Sequence, residues 1–138
     1  MVPMPHVLGF AFDPSATQVV LIQKNRPAWQ QGKLNGVGGK IEEGETPLQA
    51  MCREFEEETG LRLDNWQHFA TLIGSGLEVF CFETRTEHLH LLHSCTDEEV
   101  SVYPLPDLPE HVHHNLRYLI PLALDVQLRR PVTLSYNL

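Results

Sequence analysis

Seven glutamates crowd the 23 residues from Gly39 to Leu61: Glu42, Glu43, Glu45, Glu54, Glu56, Glu57 and Glu58. Lys40 and Arg53 are the only cationic residues among them, so this stretch carries net −5 of the chain's −8. Carboxylates packed this densely repel one another unless positive charge sits between them. Their oxygens are hard donors of the kind that suit Mg²⁺ or Mn²⁺, and a cation held there would attract phosphate oxygens.

A helix is needed to bring these groups together, and the local signals for one are complete. Thr46 and Gln49 have the spacing of a capping box, Pro47 suits the first helical position, and Gly60 suits a left-handed C-terminal cap. The spacing predicts a helix from Pro47 to Thr59. Leu48, Met51, Cys52, Phe55 and Thr59 then fall on one apolar stripe. Glu54, Glu57 and Glu58, at i, i+3 and i+4, share another face, and Glu56 points away from them. Arg53 lies one turn before Glu57 and can pair with and orient it. A merely solvated acidic face would intersperse Lys or Arg at i+4, and here only Arg53 does so.

The run Asn35-Gly36-Val37-Gly38-Gly39-Lys40 precedes this helix and reads as a glycine-rich loop. Leu34 and Ile41 stand where a P-loop needs Gly and Ser or Thr. Ile41 also breaks a dinucleotide fingerprint begun at Gly36. The glycines instead let backbone groups approach a metal or phosphate closely.

Gly39, Glu45, Arg53, Glu54, Phe55, Glu57, Glu58, Gly60 and Leu61 together fit the pattern Gly-x5-Glu-x7-Arg-Glu-apolar-x-Glu-Glu-x-Gly-apolar. The stretch resembles the signature box of the Nudix hydrolases. That resemblance implies an α/β/α sandwich with a mixed central sheet and a loop-helix-loop catalytic box. It also implies metal-dependent hydrolysis of a nucleoside diphosphate linked to another group. By the same resemblance Mg²⁺ (or Mn²⁺) is held by the Gly38 carbonyl, Glu54, Glu57 and Glu58. Glu57, oriented by Arg53, is the first choice of general base. The family also draws a glutamate from a later loop; Glu98 and Glu99 both match, and Glu99 is carried forward as the catalytic candidate.

The segment around Asn35 further resembles the Nudix enzymes that cleanse oxidised purine nucleotides, in which the matching Asn bonds the purine edge. A second contact there comes from just before the last helix, where this chain has His113, His114 and Asn115 in place of acidic and aromatic residues. Lys24, Arg26 and Lys40 are candidates for the phosphates. The proline and tyrosine marks of ADP-ribose and dinucleoside polyphosphate hydrolases are replaced here by Leu77 and Glu78. A nucleoside triphosphate cleaved to monophosphate and pyrophosphate is therefore the expected substrate, with ADP-ribose or another nucleotide sugar as the alternative. A non-catalytic nucleotide-sensing module is the rival from another class, against which the complete box stands. A calcium-binding reading lacks the Asp-x-Asp-x-Asp-Gly spacing.

At 138 residues and 42% apolar content, residues 1–138 are expected to form one domain with a substantial core. No apolar run approaches a membrane span, and Met1 to His6 do not read as a signal peptide. Cys52, Cys81 and Cys95 have no metal spacing, and Cys52 and Cys81 read as buried thiols. A cytoplasmic setting follows from these features. The negative charge and the lack of a basic stripe argue against nucleic-acid binding. The expected partner is a small nucleotide, and oligomeric state is left open, a homodimer included.

Around the box, Val7–Phe12 and Gln18–Gln23 read as a hairpin across the Asp13–Ala16 turn, followed by a polar loop from Asn25 to Lys33. Trp66–Gly74, Leu77–Thr84 and Val100–Tyr103 read as strands, with Leu89–His93 as a further short one. His111–Val126 reads as a helix with Leu116, Leu119, Ile120 and Leu124 on one side and a kink or break at Pro121.

Overall fold

The computed structural model describes residues 3–136. Met1 and Val2, the start of the stretch read for a leader, and the two C-terminal residues lie outside them.

Hydrophobic alternation organises the sheet. In β1 (Met4–Phe12), Val7 and Ala11 join one core cluster, whereas Phe10 and Phe12 join the other. In β2 (Gln18–Gln23), Val20 and Ile22 face the first cluster and Val19 and Leu21 the second. Strands buried on both faces need a helix on each. The first layer is α1 (Pro47–Thr59), which contributes Ala50, Met51, Cys52 and Phe55. The second is α2 (Leu116–Leu124), which contributes Leu116, Leu119, Ile120 and Ala123.

The remaining strands are β3 (Leu34–Asn35), β4 (Val37–Lys40), β5 (Gln67–Gly74), β6 (Leu77–Arg85), β7 (Val100–Pro104) and β8 (Val132–Ser135). They form an eight-stranded sheet ordered β3-β2-β1-β6-β5-β8, with β4 paired to β1 and β7 to β2. β1 runs parallel to β6 from Met4↔Leu77 to Phe12↔Arg85, and β5 runs parallel to β8; the other pairs are antiparallel. The sheet is therefore mixed and covered on both faces, the expected α/β/α arrangement.

Several local expectations are corrected. The glycine-rich run is not a loop: β3 and β4 occupy it, and β4 pairs Gly38 with Leu8 and Gly39 with Val7. Leu89–His93 does not form a strand; Leu89–Leu91 is a single 3-10 turn that buries Leu89. α2 begins at Leu116 rather than His111, because Val112 bridges to Leu34 and draws the preceding residues alongside β3. Pro121 lies within α2 without breaking it; its missing N–H leaves the Arg117 carbonyl, four residues back, without a helical donor. Leu48 is 42% exposed, since a stripe read from periodicity alone runs one turn past the sheet that covers it. β8 escaped the sequence reading, its four residues following a Pro and pairing only with distant β5.

α1 itself has the predicted bounds and caps. Thr46 Oγ1 accepts the Gln49 N–H, the Gln49 side chain accepts the Thr46 N–H, and Gly60 closes the helix at φ 75°. Because this cap sets where the acidic face begins, Thr46→Ala is expected to cost about 1 kcal/mol. Thermal unfolding should report that as a melting temperature lower by about 3–5 °C, with Thr46→Ser close to wild type.

Candidate active site

Arg53 is the hub of the acidic face. Its Nε and Nη2 donate to the two Glu45 carboxylate oxygens at 2.6 and 2.9 Å, a bidentate pair. Its Nη1 donates to Glu54 Oε1 at 2.9 Å and its Nη2 to the Lys40 carbonyl at 3.0 Å. Glu57 is reached only at 3.3 Å. Arg53 thus secures Glu45 and Glu54 first and Glu57 only loosely. Hydrogen bonding from Arg53 holds the Glu45 carboxyl below its ordinary range, and the Glu45 bonds in turn raise the Arg53 guanidinium. Sequence reasoning gave Glu45 no role, although its place in the pattern was the available signal.

Glu54 differs from its neighbours. Its side chain is only 14% exposed. Burial pushes its carboxyl above the usual range, Arg53 opposes this, and Glu57 and Glu58 add to it. It lies against Gly39, where any Cβ would run into the carboxylate. Glu57 is more than half exposed, and Glu58 Oε2 accepts from Thr96 Oγ1 at 2.8 Å. Glu56 faces Arg62 instead, at 3.6 Å.

These donors fit a hard divalent cation by their chemistry: carboxylate oxygens on one helix face, one of them desolvated and beside a backbone without a side chain. Among the described residues no three acidic, His or Cys groups converge on a single point. The reason is local, since Arg53 holds Glu54 and Thr96 holds Glu58.

The loop before β7 faces α1 through that same threonine. Thr96 Oγ1 donates to Glu58 and accepts the Glu98 N–H at 3.1 Å. Glu98 is 4% exposed and accepts from Lys24 Nζ at 3.0 Å, Asn25 N–H at 2.6 Å and Arg26 N–H at 3.3 Å. Burial pushes the Glu98 carboxyl up, but these donors outweigh it and leave it below its ordinary value. Glu99, the candidate carried from the sequence, is exposed, with Ser101 Oγ at 3.5 Å as its side-chain partner. Of the two glutamates, the structure ties Glu98 to the acidic helix.

Beside β4 opens a cleft of about 330 Å³, lined among others by Lys24, Trp29, Asn35, Gly38, His113 and Asn115. Asn35 Oδ1 accepts the Gly36 N–H at 2.8 Å, and its Nδ2 donates to Gln30 Oε1 at 3.0 Å. Asn35 therefore shapes the turn and lines the cleft at once. Asn115 stands at the start of α2, its Oδ1 accepting from the Tyr118 hydroxyl at 3.0 Å. Arg26 is not in the lining; it lies outside, paired with Asp97 at 2.5 Å. Lys40 is exposed at the end of β4 and also stands apart from the cleft. Trp29 and Gln30 were missed in the sequence, where an aromatic within a polar loop was the only signal.

The NUDIX domain family model matches residues 2–130. The chain belongs to the Nudix family. Among similar proteins is a zebrafish (Danio rerio) oxidized purine nucleoside triphosphate hydrolase, 38% identical over 72 residues, covering 52% of this chain and 44% of the relative. Another is the 8-oxo-dGTP diphosphatase of Escherichia coli K12, 38% identical over 55 residues, covering 40% of this chain and 43% of the relative. The matched stretches thus span less than half of either relative. In solved structures, the Nudix domain of Shewanella oneidensis NrtR, complexed with ADP ribose, superposes with a TM-score of 0.76 at 18% identity, covering 89% of this chain and 87% of that one. A MutT structure from work on Aliivibrio salmonicida and Vibrio cholerae gives 0.68 at 22% identity, covering 87% and 96%. At such identities these two neighbours speak for the Nudix fold of this domain and not for its substrate. Among the described residues, no helix is long and apolar enough to cross a membrane.

Glu98 makes this Nudix domain acid-sensitive in a definite direction. A depressed carboxyl contributes stability that is complete above its unfolded value, about 4.3, and is lost as pH falls through the lower folded value. Glu98→Gln, which leaves Lys24 without its partner, is expected to cost about 2–3 kcal/mol at pH 7. Denaturant unfolding across pH should show the gap between wild type and variant closing below about pH 4.

Proposed function

We propose that this Nudix domain is a divalent-cation-dependent pyrophosphohydrolase that cleaves an oxidised or otherwise modified purine nucleoside triphosphate to the monophosphate and pyrophosphate. The observation that carries this reading is the juxtaposition of a complete acidic box on α1 with a cleft that begins at Gly38 and Gly39. Two relatives, each 38% identical over part of this chain, act on oxidised purine nucleotides by their names, which supports the same substrate class.

Glu54, Glu57 and Glu58, with the Gly38 carbonyl, would hold Mg²⁺ or Mn²⁺, which when bound neutralises phosphate oxygens and lowers the barrier to attack by water. Arg53 positions the face: it keeps Glu45 and Glu54 together and leaves the exposed Glu57 free to turn. Glu57 is the first candidate to take the proton from water, being unburied and weakly held. Glu98 is the second, and Lys24 would have to release it. Lys24 lines the cleft and is thereby placed for a phosphate, whereas Arg26 and Lys40 could meet only a phosphate that protrudes from it. Asn35 retains one amide hydrogen for a base edge. The base would lie in the apolar part of the cleft near Trp29 and His113.

A panel of 8-oxo-dGTP, dGTP, dATP and ADP-ribose, assayed with Mg²⁺ and product-specific detection, tests the reaction. The modified triphosphate should be turned over fastest, and preference for ADP-ribose overturns the substrate assignment. Glu54→Gln and Glu58→Gln should each lower kcat at least about a hundredfold, while Glu56→Gln stays near wild type. Turnover unchanged in both charge-neutral variants would remove the acidic face from the mechanism.

The contribution of Asn35 is separable from this. Asn35→Ala is expected to raise KM for purine nucleotides about 5–150-fold, corresponding to about 1–3 kcal/mol, with metal affinity unaltered. An unchanged ranking of bases would reduce Asn35 to a turn residue.

A further inference from the structure

The end of α1 is fastened to the segment that leads into β7. A helix leaves its last four carbonyls without internal donors. Two of these, on Glu58 and Thr59, accept the Cys95 N–H at 3.1 Å and the His93 N–H at 3.0 Å. The segment lies so close that a Cβ on Gly60 would strike the His93 ring. On its other side, Ser94 Oγ accepts the Val100 N–H at 2.9 Å and ties the segment to the start of β7. These bonds to α1 and to β7 fix where Thr96 stands.

Both roles of the Thr96 hydroxyl are in use. Its oxygen accepts the Glu98 N–H at 3.1 Å, and a backbone N–H can only donate. Its proton goes to Glu58 Oε2 at 2.8 Å, and an ionised carboxylate can only accept. The polarity of this pair therefore cannot reverse. Glu98 is seated in turn by Lys24 Nζ and by the Asn25 and Arg26 N–H groups. Thr96 thus takes its position from a buried carboxylate and passes it to Glu58. Glu57 has no such anchor: it is more than half exposed, and Arg53 reaches it only at 3.3 Å.

We propose that Thr96 is a positioning residue for the divalent cation, its hydroxyl anchoring Glu58 by Oε2 and leaving Oε1 to the metal. This rests on the cation-binding reading of α1 above. The bond engages a single carboxylate oxygen, as does the bond from Arg53 to Glu54. A cation then has only to draw together the remaining oxygens of two side chains already oriented. Without the anchor, Glu58 would be a long side chain free to turn from the repulsion of Glu54 and Glu57, and the metal would have to order it first. Hydrogen bonds of this kind, made to the ligand rather than to the metal, orient a coordinating carboxylate and strengthen the site.

Mn²⁺ binding to the full chain without nucleotide, followed by electron paramagnetic resonance, tests this apart from turnover. Thr96→Val keeps the shape and removes the donor, and should weaken Mn²⁺ about tenfold or more. Thr96→Ser keeps the hydroxyl and should restore most of the affinity. In a Glu58→Gln background the same valine substitution should have little further effect, because the carboxylate through which Thr96 acts is gone. A merely structural role for Thr96 would instead weaken Mn²⁺ equally in both backgrounds. The assignment is overturned by that result, by Thr96→Val binding Mn²⁺ as tightly as wild type or more so, or by failure of serine to rescue. Thr96 is exposed, and should Thr96→Val fail to fold, Thr96→Ala takes its place in the same cycle. Wild type that binds no Mn²⁺ overturns the cation reading of α1 and Thr96 with it. Wild-type binding that valine leaves untouched removes Thr96 alone.

Discussion

Everything in the acidic half of this molecule depends on one guanidinium. Arg53 lies within reach of Glu42, Glu45, Glu54 and Glu57, and it is the only cation on that face of α1. Without it, a desolvated Glu54 would stand beside two further carboxylates with nothing to offset their repulsion. Planarity matters here as much as charge. One edge of the guanidinium meets Glu45 in two bonds, while the other serves Glu54 and the Lys40 carbonyl, an arrangement that a lysine ammonium could not reproduce.

That hub also fastens helix to sheet. The Lys40 carbonyl belongs to the end of β4, and Glu45 belongs to the turn before α1, so Arg53 closes the loop between them. Gly39 adds the complementary constraint, since a side chain there would expel Glu54 from its position against β4. β4 in turn is held by its pairing with β1, a strand that contributes to both core clusters. The geometry of the carboxylates is therefore inherited from the centre of the sheet rather than from the helix alone.

The cleft obeys a different rule. Its walls come from segments remote in sequence: the polar loop around Trp29, the β3–β4 corner, and the residues leading into α2. What unites them is backbone pairing of Leu34 with the 111–113 segment, which sets Asn35 and His113 at fixed positions on one wall. The lining of the cleft includes Gly39, against which Glu54 packs, together with Lys24 and the rings of Trp29 and His113.

The sequence by itself determined α1, its caps, the grouping of Glu54, Glu57 and Glu58, and the strands of alternating hydrophobicity. These are properties of residues within a few turns or steps of one another, so local sterics and periodicity suffice. Only the tertiary structure decided that Arg53 serves Glu45 and Glu54 before Glu57, because that choice depends on where β4 ends. It also decided that Glu98 rather than Glu99 is buried against Lys24, since the loop before β7 turns Glu98 onto the Lys24 ammonium and the Asn25 and Arg26 N–H groups. β4, β8 and the late start of α2 were illegible for a related reason. Glycines and a short post-proline run carry little intrinsic strand signal, and their structure is imposed by partners far along the chain. His113 shows the limit most plainly: its type is visible in the sequence, but its burial exists only once the strand at Leu34 and the rings of Trp29 and His114 surround it.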